Sequence, residues 1–597
     1  MFLITTADQR FWKTDEPILF LGEWCKLFSQ RFVWEKLSYD VLPYHWDDRN
    51  KLYQDYLYLE KLYEQILLQM KDILNRIHGV DHSHRYWRIV LGPWLYYFIQ
   101  ILYDRYLSIL TAIESGKVTN TLIDRYNDAR WLPQDFPCFL NWFIYDDYNH
   151  YIYSRIIEFT SRIPFNIVDV EDGNNQKERA GSANHFFASK KILKKLIGLY
   201  GKIVPDHLNQ IVLISSYLNT FDLIKFQFSL KQIPYLLPPD VVVPEFGIDP
   251  DTRGKLSFIP VENEFEQLLA KMIREQIPLI YVEGYSEMNE RSLKAYPKKP
   301  KIIFTANAYY SNEAFKFWAG HHVDSGVKFV GTQHGGLYGA ALWYADESHE
   351  ILIYDKYYTW GWKSDIYKNK KPLATSKLNK AKRVMRSKND GRILSVLMAV
   401  PRYSYHMYSI PISSSGMLSY IDDQYRFVKA LSKENQELLL VRLYPHDYGW
   451  SQVERWNYEL PEINCYSGNK SMMDQLNESR LFVGTYNATT FLETFVADFP
   501  TVLFWNPNHW ELRPSAQSFY DELFKVGILH YTPEFAAVKV DEIYKDPMAW
   551  WRQSDIQKAK DRFCYQFARI SDNWQNEWKD ELLSIVKSSK KHDFTDS

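Results

Sequence analysis

The sequence predicts an α/β protein that carries parallel sheets in two successive halves. Short apolar runs alternate with helical segments from residue 262 to residue 331, and a second series of the same kind begins at residue 393. This alternation favours parallel sheets, which bind ligands at the carboxyl ends of their strands. A chain of 597 residues is too long for one hydrophobic core, so we expect at least two domains.

The first half begins with short strands and continues with helices. Apolar runs at 2–6 and 19–24 predict two strands, each ending in a polar turn. From residue 50 to about 115 the apolar residues recur at three- and four-residue steps, and a further helical stretch covers roughly 140–162. We therefore predict a helical insertion at about 50–162 that packs on the first half.

The middle of the chain changes from irregular to regular. A polar segment at 173–183 predicts a loop, and a helix is expected at 186–199. Clear alternation begins at 262, and a polar or glycine-containing turn follows each strand, so three candidate loops are expected at one sheet edge. The expected elements are a helix at 262–275, strands at 279–282, 301–305 and 327–331, and a helix at 311–320.

A basic segment of low apolar content, residues 363–390, predicts a linker. The chain then divides into an N-terminal domain, 1–362, and a C-terminal domain, 391–597. The C-terminal domain ends in a long helix expected at 553–588. Its other expected elements are strands at 393–400, 437–444, 463–466, 481–483 and 501–505, and helices at 420–432, 470–478 and 489–497.

The composition argues against several classes of function. A net charge of −2 disfavours broad electrostatic binding to nucleic acid. The four cysteines lie far apart without a CxxC pair, which indicates reduced thiols and no zinc site. The most apolar window, 89–102, is shorter than the roughly 20 residues of a membrane span, and the first residues lack the basic leader of a signal peptide. We expect a cytoplasmic protein, with loose association to a membrane surface left open.

A glycine-rich turn around His334 is the first candidate for chemistry. An apolar strand at 327–330 runs into the sequence GTQHGG at 331–336. Glycines let a backbone approach a ligand closely and leave amides free to bind an anion. An isolated histidine is often structural, but these neighbours favour a functional one, either a general base or an electrophilic contact to phosphate. The catalytic candidates are His334, Glu347 and Asp47, and the loop residues expected at the donor are Gln333, Gly335 and Gly336.

Two loops of the second half could hold the anionic part of a donor. The strand at 437–444 exits into a loop with a histidine, and the strand at 481–483 exits into a hydroxyl-rich loop at a helix N-terminus, where free amides bind phosphate. Glu493 falls one turn into that helix, where it could accept hydrogen bonds from ribose hydroxyls. The alternative is that these residues only cap the helix. The candidates are Arg442, His446, Thr485, Asn487, Thr489, Thr490 and Glu493.

A third loop, residues 505–513, follows the last expected strand and contains Glu511 and Arg513. Arg442 and Arg513 are the best candidates for charge-assisted contacts to a diphosphate or carboxylate, and a surface salt bridge is the alternative for each. No HExxH or GxxxxGK[ST] motif occurs, and Asp249-Pro250-Asp251 predicts a turn. We therefore expect no metal and no cofactor.

Eight motifs spread over nearly the whole chain carry a resemblance to a known family. They are FLITTADQRFW, LFLGEWC, PYHWDDR, RYWRIVLGPWL, GTQHGGLYG, DKYYTWGW, GTYNATTFLE and FWNPNHWELRPSA. Together they resemble a family of transferases, leptospiral in type, found in bacterial O-antigen and surface-polysaccharide gene clusters. The two halves, the nucleotide-type loop and the terminal helix resemble GT-B glycosyltransferases. That resemblance implies two Rossmann-like domains facing a cleft, with the donor nucleotide mainly on the C-terminal one and the acceptor on the N-terminal one.

A narrower resemblance concerns the donor. Bacterial transferases that use CMP-activated acidic sugars carry a His-Pro pair and a Ser/Thr-rich motif, whereas this chain has Pro445-His446 in reversed order and threonines without the serines. The Gln-His-Gly run resembles polyol-phosphate transferases that act on a CDP-linked group. Both parallels imply a cytidine nucleotide.

The leading hypothesis is a metal-independent glycosyltransferase. It would move a sugar from a nucleotide-sugar donor to an O-antigen or other surface-polysaccharide acceptor, either lipid-linked or an oligosaccharide. One alternative is a CDP-polyol phosphotransferase of surface-polymer synthesis, and another is a non-catalytic sugar- or nucleotide-binding assembly factor. We expect no nucleic-acid partner, and a location in the cytoplasm or at the inner face of the cytoplasmic membrane.

Overall fold

The computed structural model describes residues 1–125, 128–169, 208–235, 241–258, 263–364, 367–412 and 414–592. Three parallel sheets lie in succession along these residues, with helices between their strands. The α/β class expected from the sequence is therefore confirmed. The loop predicted at 173–183 and the helix predicted at 186–199 lie outside the described residues.

The first sheet has the strand order β3-β2-β1-β4-β5, and the second has the order β10-β9-β8-β7-β6. All strand pairs in both sheets are parallel. The strands of the first sheet are β1 (Phe2–Ile4), β2 (Ile18–Phe20), β3 (Tyr39–Val41), β4 (Asn120–Asp124) and β5 (Phe165–Val168). Those of the second are β6 (Ile211–Ile214), β7 (Ile302–Thr305), β8 (Lys328–Thr332), β9 (Lys356–Thr359) and β10 (Lys370–Pro372).

The third sheet has the order β13-β12-β11-β14-β15-β16, again with all pairs parallel. In chain order this is 3-2-1-4-5-6, the Rossmann arrangement, whose ligands bind where the order reverses, between β11 and β14. Its strands are β11 (Arg392–Val396), β12 (Leu439–Arg442), β13 (Asn464–Tyr466), β14 (Ser479–Gly484), β15 (Thr501–Phe504) and β16 (Leu529–His530).

The helices of the described residues fall into two groups. Those before β11 are α1 (Arg31–Trp34), α2 (Arg49–His78), α3 (His84–Val90), α4 (Gly92–Glu114), α5 (Phe136–Trp142), α6 (Asp146–Thr160), α7 (Thr220–Ser229), α8 (Pro250–Gly254), α9 (Glu264–Gln276), α10 (Tyr285–Ala295), α11 (Ala308–Ser311), α12 (Glu313–Asp324), α13 (Ala345–Ile353) and α14 (Ser376–Val384). Those after it are α15 (Ser414–Ala430), α16 (Lys433–Leu438), α17 (Gln452–Glu459), α18 (Met472–Leu476), α19 (Thr489–Val496), α20 (Pro514–Lys525), α21 (Pro533–Ile543), α22 (Pro547–Trp551), α23 (Ser554–Phe567) and α24 (Trp574–His592).

Helix α2 shows how local sequence sets the ends of a long element. The carboxylate of Asp48 accepts hydrogen bonds from the Asn50 and Lys51 amides, which caps the first turn. Gly79 ends the helix in the left-handed region at φ 64°, where a residue without a β-carbon is favoured. The buried face of α2 joins the hydrophobic core and packs against α3 and α4.

The C-terminal helix α24 packs against the second sheet. The indole of Trp578 contacts the rings of Phe304 and Tyr358, and its Nε1 donates to the Ala374 carbonyl at 2.8 Å. The hydroxyl of Tyr358 donates to Glu581 at 3.0 Å. The end of the chain therefore returns to a sheet formed more than two hundred residues earlier and ties the two halves together.

Several expected elements differ in the structure. The strand predicted at 279–282 is wrong, because Leu279–Tyr281 forms a 3-10 turn whose amides bond to the loop carbonyls of Pro133 and Gln134. The predicted C-terminal helix is two helices, α23 and α24, with a break between them. Strand β4 lies within the predicted helical insertion, and the segment predicted as a linker contributes β10 and α14.

Candidate functional site

The loop after β8 places His334 at the carboxyl edge of the second sheet. Gln333 sets its shape: the side-chain oxygen accepts from the Trp360 amide at 2.9 Å and from Trp362 Nε1 at 2.7 Å. Its Nε2 donates to the Gly335 carbonyl at 2.8 Å, and the residue is buried. The structure thus places Gln333 inside the protein, where it holds the loop, and not on a surface that a donor could reach.

The imidazole of His334 is paired with a buried carboxylate. Its Nε2 lies 2.9 Å from Glu350 Oε1 and 2.9 Å from the Tyr338 hydroxyl. The side chain of His334 is 20 % exposed and that of Glu350 is fully buried. Nδ1 has no hydrogen-bond partner among the described residues. A carboxylate on one ring nitrogen fixes the tautomer and leaves the other nitrogen free to accept a proton.

Glu350 is the centre of a ring of hydroxyl donors. The Tyr309 hydroxyl donates to Oε1 at 2.6 Å, the Tyr357 hydroxyl to Oε2 at 2.9 Å, and Tyr338 also donates to Oε1. Burial is the main cause, and the negative charge of Glu350 the second, that holds the pKa of each tyrosine well above its ordinary value. The three hydroxyls therefore remain protonated donors. These bonds orient Glu350 towards His334.

The opposite wall of the site is the N-terminus of α19. The backbones of the two loops lie so close that a β-carbon at Gly336 would come within 2.5 Å of the Ala488 carbonyl carbon and 2.6 Å of the Thr489 nitrogen. This contact explains why the loop needs glycine there. The histidine loop and the hydroxyl-rich loop, expected on two facing walls, therefore touch.

Several backbone amides at this contact have no acceptor. The amides of Gly335, Gly336, Thr489 and Thr490 donate no hydrogen bond to another described residue, and Ala488, the N-cap of α19, gives no side-chain cap. Unpaired amides at a helix N-terminus favour a bound anion. The loop also follows the reversal point of the third sheet, where the Rossmann arrangement binds ligands.

Two carboxylates predicted at the site are held by arginines. Glu347 accepts from the Arg513 guanidinium at 3.1 and 3.2 Å and from the Gly339 amide at 2.8 Å, and it is buried. Glu511 accepts from Arg49 at 2.6 and 2.9 Å. Both pairs join the two halves of the chain. Glu347, Glu511 and Arg513 are thus engaged within the protein.

The remaining predicted residues have different environments. Arg442 donates to the Lys470 carbonyl at 2.9 Å and also to the side-chain oxygen of Gln475, and burial lowers its pKa. His446 is exposed and contacts only the ring of Tyr448 among the aromatic residues described. Asp47 is exposed and accepts from the Ser415 hydroxyl at 2.6 Å.

The predicted residues in the loop before α19 and in its first turns differ in their contacts. Thr485 is fully buried and donates to the Val396 carbonyl at 2.8 Å, which ties β14 to β11. Asn487 is buried, its oxygen accepts from the Tyr520 hydroxyl at 3.0 Å, and its Nδ2 has no hydrogen-bond partner among the described residues. The Thr490 hydroxyl lies 2.8 Å from that of Tyr486. Glu493 lines a separate cavity, and burial raises its pKa while two lysines oppose the rise.

Sequence reasoning missed two functional candidates, Glu350 and Lys377. Glu350 is visible in the sequence only as one of several acidic residues after the glycine turn. Lys377 Nζ donates to the His334 carbonyl at 2.9 Å, although it belongs to the segment predicted as a linker. No group of three or more potential ligands for a metal ion occurs in the described part of the chain. No helix among those residues is long and apolar enough to cross a membrane.

A parallel α/β scaffold with a histidine–carboxylate pair, in a loop whose Gly336 contacts an open helix N-terminus, is suited to group transfer. The chain belongs to the LIC12162 family of transferases, since the sequence model of that family matches residues 1–582. This match confirms the predicted transferase family. No curated protein matches the chain.

Two solved structures resemble the chain at low similarity. One is MurG of Acinetobacter baumannii, with a TM-score of 0.29 and 10 % identity over 50 % of this chain and 77 % of that one. The other is WaaG, described as a glycosyltransferase involved in lipopolysaccharide biosynthesis, with a TM-score of 0.25 and 10 % identity over 50 % of this chain and 94 % of that one.

Proposed function

We propose that the protein is a metal-independent glycosyltransferase of GT-B type that moves a sugar from a nucleotide-activated donor to a surface-polysaccharide acceptor. The observation that carries the proposal is the His334–Glu350 pair, which lies on one wall of a contact whose other wall is the open N-terminus of α19. Membership of a transferase family and the return of α24 to the second sheet both support it.

The proposed chemistry follows from the two walls. Nδ1 of His334 takes the proton of an acceptor hydroxyl while that oxygen bonds to the anomeric carbon of the donor. The bond between the anomeric carbon and the phosphate oxygen breaks, and the nucleotide leaves with the electron pair. The amides of Thr489 and Thr490 and the positive end of the α19 dipole stabilise the charge on the leaving phosphate. Glu350 keeps His334 in the required tautomer and stabilises the imidazolium that forms.

The test is transfer by the full chain from CMP-, CDP-, UDP- and GDP-linked sugars to acceptors extracted from bacterial envelopes. A general base contributes typically about 10²–10⁴-fold, so His334→Ala should reduce turnover by that order while the melting temperature changes little. His321→Ala is the matched control, because His321 lies in the last turn of α12, near the amino end of β8. Wild-type turnover in His334→Ala, or a phosphodiester in place of a glycosidic bond in the product, would refute the proposal.

We also propose that the enzyme works at the inner face of the cytoplasmic membrane on a lipid-linked acceptor. An exposed apolar patch on α1 and α17 supports this: Phe32, Val33 and Tyr458 are 63 %, 42 % and 64 % exposed. The Arg31 guanidinium lies over the rings of Phe32 and Tyr458, at 4.2 and 5.0 Å. Aromatic rings beside an arginine suit an anionic lipid interface. Phe32→Ser/Tyr458→Ser should lose co-sedimentation with phosphatidylglycerol vesicles, and unchanged binding would contradict the proposal.

A further inference from the structure

A cavity of about 560 Å³ lies beside the histidine loop and is not used by the proposed chemistry. It is bounded by the loop between β6 and α7, by α14, by α19 and by α24. The side chains that decide its chemistry are Tyr217, Asp222, Lys377, Lys380, Glu493 and Trp574.

The cavity is joined to the histidine loop by a direct hydrogen bond. Lys377 donates to the His334 carbonyl at 2.9 Å, and its ammonium lies 4.6 Å from the centre of the Tyr217 ring. The Tyr217 hydroxyl accepts from Asn307, in the loop after β7, at 3.0 Å. The loops after β6, β7 and β8 meet at the carboxyl edge of the second sheet, so the cavity and His334 share that edge.

Two lysines give the cavity a site for an anion. Lys377 and Lys380 lie three residues apart on α14, which puts them on one face of the helix. Neither has a carboxylate within 4.0 Å among the described residues, whereas Lys382 on the same helix is paired with Asp572 at 3.0 Å. The arginines predicted for this task, Arg442 and Arg513, already bond to protein groups.

We infer that this cavity binds the phosphate or diphosphate of a substrate ester between Lys377 and Lys380, with the organic part of the ester against Tyr217 and Trp574. Glu493 and Asp222 complete the lining and suit hydroxyl groups of the same ligand. Burial raises the pKa of Glu493, and the positive charges of Lys377 and Lys380 oppose that rise. The inference rests on the proposed function, since it supplies the subsite for one of the two transferase substrates.

Two sources share this chemistry, a nucleoside diphosphate donor and a prenyl diphosphate acceptor. Isothermal titration of the full chain with CDP and UDP tests the first, and titration with geranyl diphosphate tests the second. Inorganic pyrophosphate reports the anion site alone. We expect pyrophosphate and one of the two ester classes to bind the wild-type protein.

The variants separate this cavity from the catalytic loop. Lys380→Met and Lys377→Met should each weaken binding of that ester by about tenfold or more, because a charge-assisted contact is lost. Lys382→Met, on the same helix but outside the cavity, should bind as the wild type does. Since Lys377 also supports the His334 loop, Lys380→Met is the decisive variant, and its melting temperature without ligand shows whether it is folded.

Equal affinities in Lys380→Met and wild type, or no binding of any of the four ligands in the millimolar range, would overturn the inference. Analysis of the transfer product in the same samples keeps the two proposals apart. If the protein transfers a sugar but Lys380→Met binds the diphosphates as the wild type does, only the cavity assignment is refuted. If Lys380→Met weakens binding but no glycosidic product forms, only the glycosyltransferase proposal is refuted.

Discussion

His334 Nε2 and Glu350 Oε1 lie 2.9 Å apart, and Glu350 takes no part in any ion pair other than this one among the described residues. Three tyrosine hydroxyls surround the same carboxylate. The pair combines a fully buried carboxylate with a partly exposed imidazole, so the protein fixes Glu350 while solvent reaches part of His334.

Replacing the carboxylate by an amide tests this arrangement. Glu350→Gln keeps the volume but presents an NH₂ group to donors, so we expect turnover to fall by about tenfold or more. The free energy of unfolding should fall by about 1–3 kcal/mol, because buried donors lose their acceptor. Turnover and thermal unfolding measure the two effects. Tyr309→Phe is the control: it removes one donor to Glu350 but leaves His334 paired, and an equal loss of turnover in that variant would contradict a special role for the pair.

Gly336 and Gly335 form a matched pair for testing the contact between the walls. A β-carbon at Gly336 meets backbone atoms of Ala488 and Thr489, which cannot rotate away, so Gly336→Ala should push the loops apart. We expect a loss of about 1–3 kcal/mol in stability and a clear loss of turnover. In Gly335→Ala the new atom meets only the Tyr338 ring, at 3.2 Å, and the effect should be smaller. Calorimetry measures the stability of both variants and an activity assay measures their turnover. Equal losses in the two variants would argue against the backbone contact at Gly336.

Glu347 is a catalytic candidate from the sequence, but its pairing with Arg513 leads us to expect a structural role. Arg513→Met should destabilise the protein by about 1–3 kcal/mol, since it leaves a buried carboxylate without its main partner. The double variant Glu347→Met/Arg513→Met should recover part of that loss. Differential scanning calorimetry measures the stability of the single and the double variant. If Glu347→Gln alone abolished turnover at unchanged melting temperature, Glu347 would belong to the reacting groups instead.

Glu60 gives a prediction for pH dependence. Burial, followed by the charge of Glu64, raises its pKa from 4.5 to about 8. Between these two values the folded protein holds a proton that the unfolded chain has lost, so this residue's contribution to stability falls as pH rises and is lowest above 8. Glu60→Gln should therefore raise the melting temperature more at a pH above 8 than at a pH near 5. Exposed Glu114→Gln should show no such difference, and a gain independent of pH would contradict the assignment.

The fold could be predicted where a strand carries its own signal. Strands β7, β8, β14 and β15 are short apolar runs that end in polar or glycine turns, and the sequence places each within a few residues. Strand β10 is Lys-Lys-Pro and depends on pairing with β9, which no local pattern reveals. The run at 279–281 is as apolar as a strand, but loop carbonyls far away in the sequence bind its amides.

The candidate site also contains residues that a local sequence signal marks and residues that only the folded structure reveals. The glycine turn marks His334 and the hydroxyl-rich loop marks the start of α19, because both features are local. Glu347 and Glu350 lie three residues apart on α13, and only the packed structure shows that the second faces His334 while the first faces Arg513. The sequence does not single out Lys377, because its segment is rich in lysines. Its hydrogen bond to the His334 carbonyl is visible only in the folded structure.

The ion pair between Arg49 and Glu511 joins residues 462 positions apart. A ribosome that adds about 5–20 residues per second needs roughly 20–90 s to make the intervening chain. During that time the start of α2 lacks its ion-pair partner. Trp343, over whose ring Arg49 lies at 5.5 Å, is synthesised within the same interval and also precedes Glu511. This contact between the two halves can therefore form only after the loop that contains Glu511 has been synthesised.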